Sequence, residues 1–170
     1  MVFMMYTPAE ANKLLKKLNE AHYSMIWDER DLCQFTASVD EDLEYARPDY
    51  DYEATQKEIA ELERKIRTIK HALNQFNNSH KVDGFDMTVD EALIYLPQLS
   101  QRIRRLKEMK QTRPRERNMR TSLNGAVEYT YANYDVEQAR KDYDQAFDEL
   151  SRLQISLDTL NTREKFPIDL

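Results

Sequence analysis

The sequence predicts a mainly all-α protein of long antiparallel helices in a coiled-coil-like bundle, with one small β-hairpin. The 170 residues include only two glycines, and 33% of them are charged, which is typical of long helices with solvated faces. In two long segments, 52–76 and 136–160, apolar residues recur at alternating spacings of three and four residues. Between the predicted helices, Asn124-Gly125 is a strong hairpin signal because both residues tolerate positive φ.

The boundaries of the predicted elements follow from helix caps and prolines. Thr7 and Thr88 each stand three residues before a glutamate, which is the capping-box pattern of a helix start. Pro48 and Pro114 separate predicted helices, because proline is costly inside a helix. The predicted helices span about residues 7–36, 51–77, 88–111 and 135–161, the hairpin spans about 119–132, and all lie in a single domain over 1–170.

The two apolar seams have equal length and matching period. The first comprises Tyr52, Ile59, Leu62, Ile66, Ile69, Leu73 and Phe76, with Thr55 filling the gap. The second comprises Val136, Ala139, Tyr143, Ala146, Leu150, Leu153, Leu157 and Leu160. Each seam must lie against another helix, and the match predicts that the two helices pair in an antiparallel core. On the first helix, Glu61 with Lys65 and Glu63 with Arg67 are favourable i,i+4 pairs.

Composition excludes several classes of protein. Two glycines leave no room for a glycine-rich phosphate loop. Cys33 is the only cysteine, so an internal disulfide is excluded and a reducing compartment fits. The first residues lack the basic region of a signal peptide, and no stretch approaches the ~20 apolar residues of a membrane span. The sequence therefore predicts a cytoplasmic protein without a membrane span.

Several short segments carry a resemblance to a known family. They are KHALNQFN at 70–77, MTVDEAL at 87–93 followed by LPQL at 96–99, and QISLD at 154–158 with Asn161. On these residues the chain resembles a family of small helical bacterial proteins, some of them called septicolysin-like. The resemblance spans most of the chain. It implies a helical fold and brings no established activity.

An unusual run of side-chain amides and an imidazole lies opposite the first seam. The run consists of His71, Asn74, Gln75, Asn77 and Asn78. One interpretation is a solvated face and a fraying helix end. The other is a polar contact surface for a partner or a neighbouring subunit, to which His71 would add pH sensitivity.

The most basic segment is 102–120, with nine Lys or Arg residues against two glutamates. Its local charge of +7 leaves −13 on the rest of a chain whose net charge is −6. Four arginines near or within the hairpin are candidate contacts for an anion or nucleic acid: Arg113, Arg115, Arg117 and Arg120. With tyrosines nearby, they suit phosphate contact and base stacking. The alternative is that acidic segments of the chain or of a neighbouring subunit neutralise this patch.

Catalytic, cofactor-binding and metal-binding residues are not predicted. The histidines have no metal-ligand spacing with Cys33, and the acids of 83–90 do not match a calcium loop. In the segment 47–52, tyrosine hydroxyls could bind a small ligand, but helix capping by Asp49 or Asp51 explains the acids more simply. No motif places a pair of carboxylates for hydrolysis. The sequence therefore predicts a protein that is not an enzyme and holds no cofactor.

These observations predict a non-enzymatic helical interaction or assembly protein. The alternatives are a nucleic-acid-associated protein acting through 102–120 and a small-molecule-binding enzyme at the tyrosine-rich segment. The expected partner is a second copy of the chain, because the seams leave these apolar residues outside a four-helix core: Leu15, Ile26, Phe147, Ile155 and residues 166–170. A symmetric homo-oligomer, expected to be a dimer, would cover them across a two-fold axis.

Overall fold

The structure is a computed structural model that describes residues 4–118 and 127–170. This part of the chain contains five helices and four short strands. In chain order the elements are β1 (Met4–Tyr6), α1 (Pro8–Leu32), α2 (Leu43–Ala46), α3 (Tyr52–Ser79), α4 (Val89–Met109), β2 (Arg115–Arg117), β3 (Tyr129–Tyr131), α5 (Val136–Arg163) and β4 (Phe166–Ile168). The predicted fold class, mainly all-α with one small antiparallel hairpin, is confirmed.

Both predicted capping boxes are present. The Thr7 hydroxyl accepts from the Glu10 N–H at 3.2 Å, and the Thr7 N–H donates to the Glu10 carboxylate at 2.8 Å. The same reciprocal pair joins Thr88 and Glu91 at the start of α4. α1 ends at Leu32, four residues earlier than predicted. Residues 33–36 are exposed, so no buried face supports a further helical turn.

The chain divides into two compact units, of which the first comprises Met1–Asn77 and Leu160–Leu170. In this unit β1 pairs with β4 in antiparallel register, with Met4 opposite Ile168 and Tyr6 opposite Phe166. Phe166 and Ile168 are buried, and the Phe166 ring lies 5.0 Å from that of Phe76. These two residues of the tail, predicted to be spare apolar surface, therefore belong to the core of this unit.

Within the first unit, α1 and α3 run antiparallel. His22 of α1 contacts Glu63 of α3 at 3.4 Å, and Glu29, further along α1, accepts a hydrogen bond from Gln56, which lies earlier in α3. The buried positions of α3 are those of its predicted seam: Ile59, Ile69, Leu73 and Phe76. The seam is buried towards the C-terminal end of α3, whereas Tyr52 at its first position is exposed.

The second unit comprises Asn78–Thr159. Here α4 and α5 run antiparallel, because Tyr95 donates to Glu149 at 2.9 Å and Tyr134, just before α5, donates to the carbonyl of Met109 at 2.8 Å. Buried side chains from both helices form the core cluster: Leu99, Leu106 and Ala146. The α5 seam thus has α4 as a partner, and its pairing with the α3 seam in a coiled coil remains a prediction.

A tight turn precedes α4, as predicted for residues 82–85. The Phe85 N–H donates to the Val82 carbonyl at 3.0 Å, and Gly84 has a φ of 79°. This left-handed conformation at the third position of the turn strongly favours glycine, which has no Cβ to clash. The turn brings Lys81 opposite Thr88, so that the chain enters α4 at its capping residue.

The hairpin strands are β2 and β3, which pair in antiparallel register with Arg115 opposite Tyr131 and Arg117 opposite Tyr129. β2 begins four residues before the predicted start of the hairpin at residue 119. The sequence could not locate it, because Arg115, Glu116 and Arg117 are all polar and all exposed, and they give no alternation of apolar with polar residues. The predicted turn at Asn124-Gly125 lies outside the described residues.

Candidate interaction surfaces

A cleft of about 630 Å³ lies between α1 and α3 in the first unit. Apolar side chains from both helices line it: Ala21, Met25, Ala54 and Leu62. Charged side chains of α3 complete the lining: Lys57, Glu58, Glu61 and Lys65. Alanine on each helix leaves space that larger side chains would fill, and the result is an apolar groove with a charged border.

On this border, the carboxylate of Glu61 has a strongly lowered pKa. Both of its oxygens accept from the Arg64 guanidinium, at 3.0 and 2.9 Å, and Lys65 lies 3.6 Å away. The hydrogen bonds from Arg64, reinforced by the positive charges of Arg64 and Lys65, lower the pKa of Glu61 to about 2. Glu61 therefore stays ionised. With Arg64 and Lys65 it forms a solvent-exposed network of ion pairs at this border of the cleft.

On the side of α1 away from the cleft lies an exposed aromatic stripe. Tyr23 is 67% exposed and Trp27 is 57% exposed, and their spacing of four residues places them on one face of the helix. Arg30 extends the stripe by one turn, with its guanidinium 5.3 Å from the centre of the Trp27 ring. Ile26, also exposed, flanks the stripe. We refer to Tyr23, Trp27 and Arg30 as the α1 stripe.

A cluster of hydrogen bonds fixes the segment between α1 and α3. The Tyr50 hydroxyl donates to the Glu29 carboxylate at 2.8 Å, and the Gln56 amide donates to the same oxygen. Two effects raise the pKa of Tyr50 to about 12: desolvation, which is the larger, and the hydrogen bond to Glu29. Asp51 accepts from the Ala54 N–H at 3.0 Å, as predicted for a capping residue. The tyrosine-rich segment thus joins two helices.

The predicted polar contact surface lies near the end of α3. Four of its residues are exposed and one, Asn77, is half-buried; the exposed ones are His71, Asn74, Gln75 and Asn78. Asn74 and Asn78 each have interaction partners of their own. The structure therefore places the run on one helix and leaves its role as a contact surface a prediction.

The candidate anion-binding arginines lie in and before β2. Arg113 contacts Glu116 at 3.4 Å, and the Arg115 guanidinium lies 4.7 Å from the centre of the Tyr129 ring. Arg117 is exposed at the end of β2. The hairpin thus brings Arg115 and Arg117 together with Tyr129 and Tyr131. The fourth arginine, Arg120, is outside the described residues.

Residues 4–118 and 127–170 contain neither a cluster of potential metal ligands nor a helix suited to crossing a membrane. Among these residues, no three His, Cys, Asp or Glu side chains come together in a way that could hold a metal ion. No helix in this part of the chain has the length and apolar character that crossing a membrane requires.

Comparison with known proteins reveals similarity of fold. A solved structure, that of a functionally unknown conserved protein from Corynebacterium diphtheriae, matches the chain with a TM-score of 0.59 and 18% sequence identity. The match covers 96% of this chain and 99% of that protein. No protein-family model matches the chain, and no curated protein matches it. The likeness thus supports the fold, and the septicolysin-like resemblance stays a prediction.

Sequence reasoning missed the α1 stripe. Leu32 and Phe35, at and just beyond the end of α1, are exposed as well. The missed signal is the i,i+4,i+7 spacing of Tyr23, Trp27 and Arg30, which places two aromatic rings and a cation on one face. Aromatic residues and arginine are also the residue types enriched at protein interfaces.

Proposed function

We propose that this chain is a non-enzymatic interaction protein that assembles with a second copy of itself through α1. The observation that carries the proposal is the exposed α1 stripe. Trp, Tyr and Arg are the residues that most often dominate the energy of protein–protein interfaces. Two large aromatic rings side by side in water are costly, and a partner that covers them removes that cost.

The order of side chains along α1 favours a second copy as the partner. Glu20, Tyr23, Trp27 and Arg30 follow one another at spacings of three, four and three residues, so the pattern is symmetric about Met25. Consider two antiparallel copies of α1 related by a two-fold axis that crosses the helix at the level of Met25. This arrangement would place Tyr23 opposite Trp27 of the partner subunit. The same axis would place Glu20 opposite Arg30 of the partner subunit. Each aromatic residue would then meet an aromatic residue, and each charge its opposite.

Exposed charges at the ends of the stripe support this arrangement. The Glu20 side chain is 67% exposed, and its contact with Lys16 in the same helix is long, at 3.9 Å. Such a surface pair is weak, so Glu20 can turn towards a partner at little cost. The Arg30 guanidinium already lies against the Trp27 ring, and a carboxylate from a partner would add an ion pair to this contact.

Charge reversal tests this arrangement. Glu20→Arg alone would place arginine opposite arginine, and Arg30→Glu alone would place glutamate opposite glutamate, so each variant should dimerise about tenfold more weakly than the wild type. A mixture of the two single variants restores opposite charges at both contacts. Sedimentation velocity should therefore show dimers in the mixture at concentrations where each variant alone is a monomer.

The double variant Glu20→Arg with Arg30→Glu is the matched control, because it exchanges the charges and keeps the pairing. It should dimerise as the wild type does. If the mixture stays monomeric while the wild type is a dimer, the proposed two-fold arrangement of α1 is wrong. If the wild type itself is a monomer, self-assembly is wrong as well.

A further inference from the structure

The hairpin formed by β2 and β3 separates its side chains by chemistry. Residues directly opposite each other in an antiparallel pair lie on the same face, and alternate residues along a strand share that face. Arg115, Arg117, Tyr129 and Tyr131 therefore share one face of the hairpin. We refer to these four residues as the Arg-Tyr face.

The opposite face of the hairpin carries the acidic residues. Glu116 pairs with Thr130 between the two arginines and so lies on the other face. The Asn118 N–H donates to the Glu128 carbonyl at 2.8 Å, which extends the pairing by one residue and places Glu128 on the same side as Glu116. The Arg-Tyr face thus holds positive charge without a carboxylate of either strand.

The rings of the Arg-Tyr face are exposed and arranged side by side. The centres of the Tyr129 and Tyr131 rings are 6.4 Å apart, and the ring planes are inclined by 49°. The Arg115 guanidinium lies 4.7 Å from the centre of the Tyr129 ring. Both tyrosines remain open to solvent in this arrangement, so a planar ligand can stack on them.

We propose that the Arg-Tyr face binds single-stranded nucleic acid. Tyr129 and Tyr131 would stack with two successive bases, while Arg115 and Arg117 would contact the phosphates that link them. A single strand fits better than a duplex because its bases are free to stack on protein side chains. The segment 102–120, to which Arg115 and Arg117 belong, has a net charge of +7 that would attract the strand. This site is independent of the α1 stripe.

Fluorescence anisotropy with a labelled oligothymidylate at low salt tests the stacking. Replacing both tyrosines by leucine, in Tyr129→Leu with Tyr131→Leu, should weaken binding at least tenfold, because leucine cannot stack on a base. The control pair, Tyr129→Phe with Tyr131→Phe, keeps the aromatic rings and should bind within about twofold of the wild type. Equal affinities of the leucine and phenylalanine pairs would overturn base stacking at this face.

A salt titration of the same complex tests the phosphate contacts. For single strands, each phosphate contact adds about 0.7 to the slope of log affinity against log salt, so Arg115→Gln with Arg117→Gln should lower the slope by about 1.4. The control pair, Arg104→Gln with Arg105→Gln on α4, removes the same charge away from the hairpin and should leave the slope near the wild-type value. Equal slopes for the two arginine pairs would place the binding elsewhere.

Two results would reject a nucleic-acid site on the Arg-Tyr face outright. The first is absence of binding by the wild-type protein at low salt, where such contacts are strongest. The second is binding of a polyglutamate peptide as tight as that of the oligonucleotide, because an acidic peptide has no bases to stack. Circular dichroism measures the melting temperature of each variant. If the substitutions weaken binding at the site and not through unfolding, the variants that bind more weakly should not be the ones that melt at lower temperature.

Discussion

At the scale of single residues, the charged border of the cleft is organised by Glu61. Its carboxylate accepts two hydrogen bonds from Arg64 and lies close to Lys65, so two positive charges on the next turn of α3 stabilise its negative charge. Because its folded pKa lies below the ordinary value of 4.5, ionised Glu61 stabilises the fold above that pH. This contribution is lost as the pH falls from about 4.5 towards 2.

Carboxyl titration by NMR tests the role of Arg64. In the wild-type protein the Glu61 carboxyl should titrate near pH 2, and in Arg64→Gln its midpoint should rise towards 4.5. Lys65→Gln is the matched control and should raise the midpoint less, because Lys65 acts mainly through its charge at 3.6 Å whereas Arg64 donates two short hydrogen bonds. A midpoint that Arg64→Gln leaves unchanged would contradict this assignment.

The sequence predicts only some of the charged contacts that α3 makes. The i,i+4 spacing predicts the contact of Glu61 with Lys65, and the structure confirms it. The same rule pairs Glu63 with Arg67, but the Glu63 carboxylate contacts His22 of α1. A rule about one helix cannot foresee a contact made by another helix, because the second partner comes from a residue 41 positions away in the chain.

At the scale of elements, the heptad seam of α5 predicts which of its residues are buried. Leu153 lies on the seam and is fully buried, at 0% exposure, whereas Ile155, two residues later, is 66% exposed. The period of 3.6 residues places these two positions on opposite sides of the helix. Burial in this helix thus follows the spacing of its apolar residues, and a substitution should cost stability according to its position on the seam.

Alanine substitution tests this difference. Leu153→Ala should lower the free energy of unfolding by about 2–5 kcal/mol, because it removes buried methyl groups and leaves a cavity. Ile155→Ala is the control on the same helix and should change it by less than about 0.5 kcal/mol. Chemical denaturation measures both. Similar costs for the two substitutions would mean that α5 is not buried along its seam.

The helices and their caps could be predicted from the sequence because their signals are local. Thr7 and Thr88 with their glutamates mark helix starts within four residues, and the seams repeat over many turns. The pairing of β1 with β4 could not be predicted. Each strand has three residues, too few for a periodic pattern, and the pairing joins Met4 to Ile168 across nearly the whole chain.

At the scale of the whole molecule, self-association depends on which apolar residues the fold leaves exposed. The sequence predicts that the C-terminal tail is spare apolar surface, but Phe166 and Ile168 pack inside the first unit. Ile26, Phe147 and Ile155 remain exposed, as expected. Among the exposed residues, the α1 stripe gives the strongest support for self-association. It could not be predicted from the sequence, because periodicity shows that a face is apolar but not whether another part of the chain covers it.

Molar mass by light scattering across a dilution series, at physiological salt, tests self-assembly most directly. The wild-type protein should have twice the chain mass of 20.3 kDa at high micromolar concentration and should approach the chain mass on dilution. Trp27→Ser should remain at the chain mass throughout, whereas Tyr45→Ser, which changes an exposed aromatic residue outside the α1 stripe, should behave as the wild type. A wild-type mass of 20.3 kDa at every concentration would contradict the proposal.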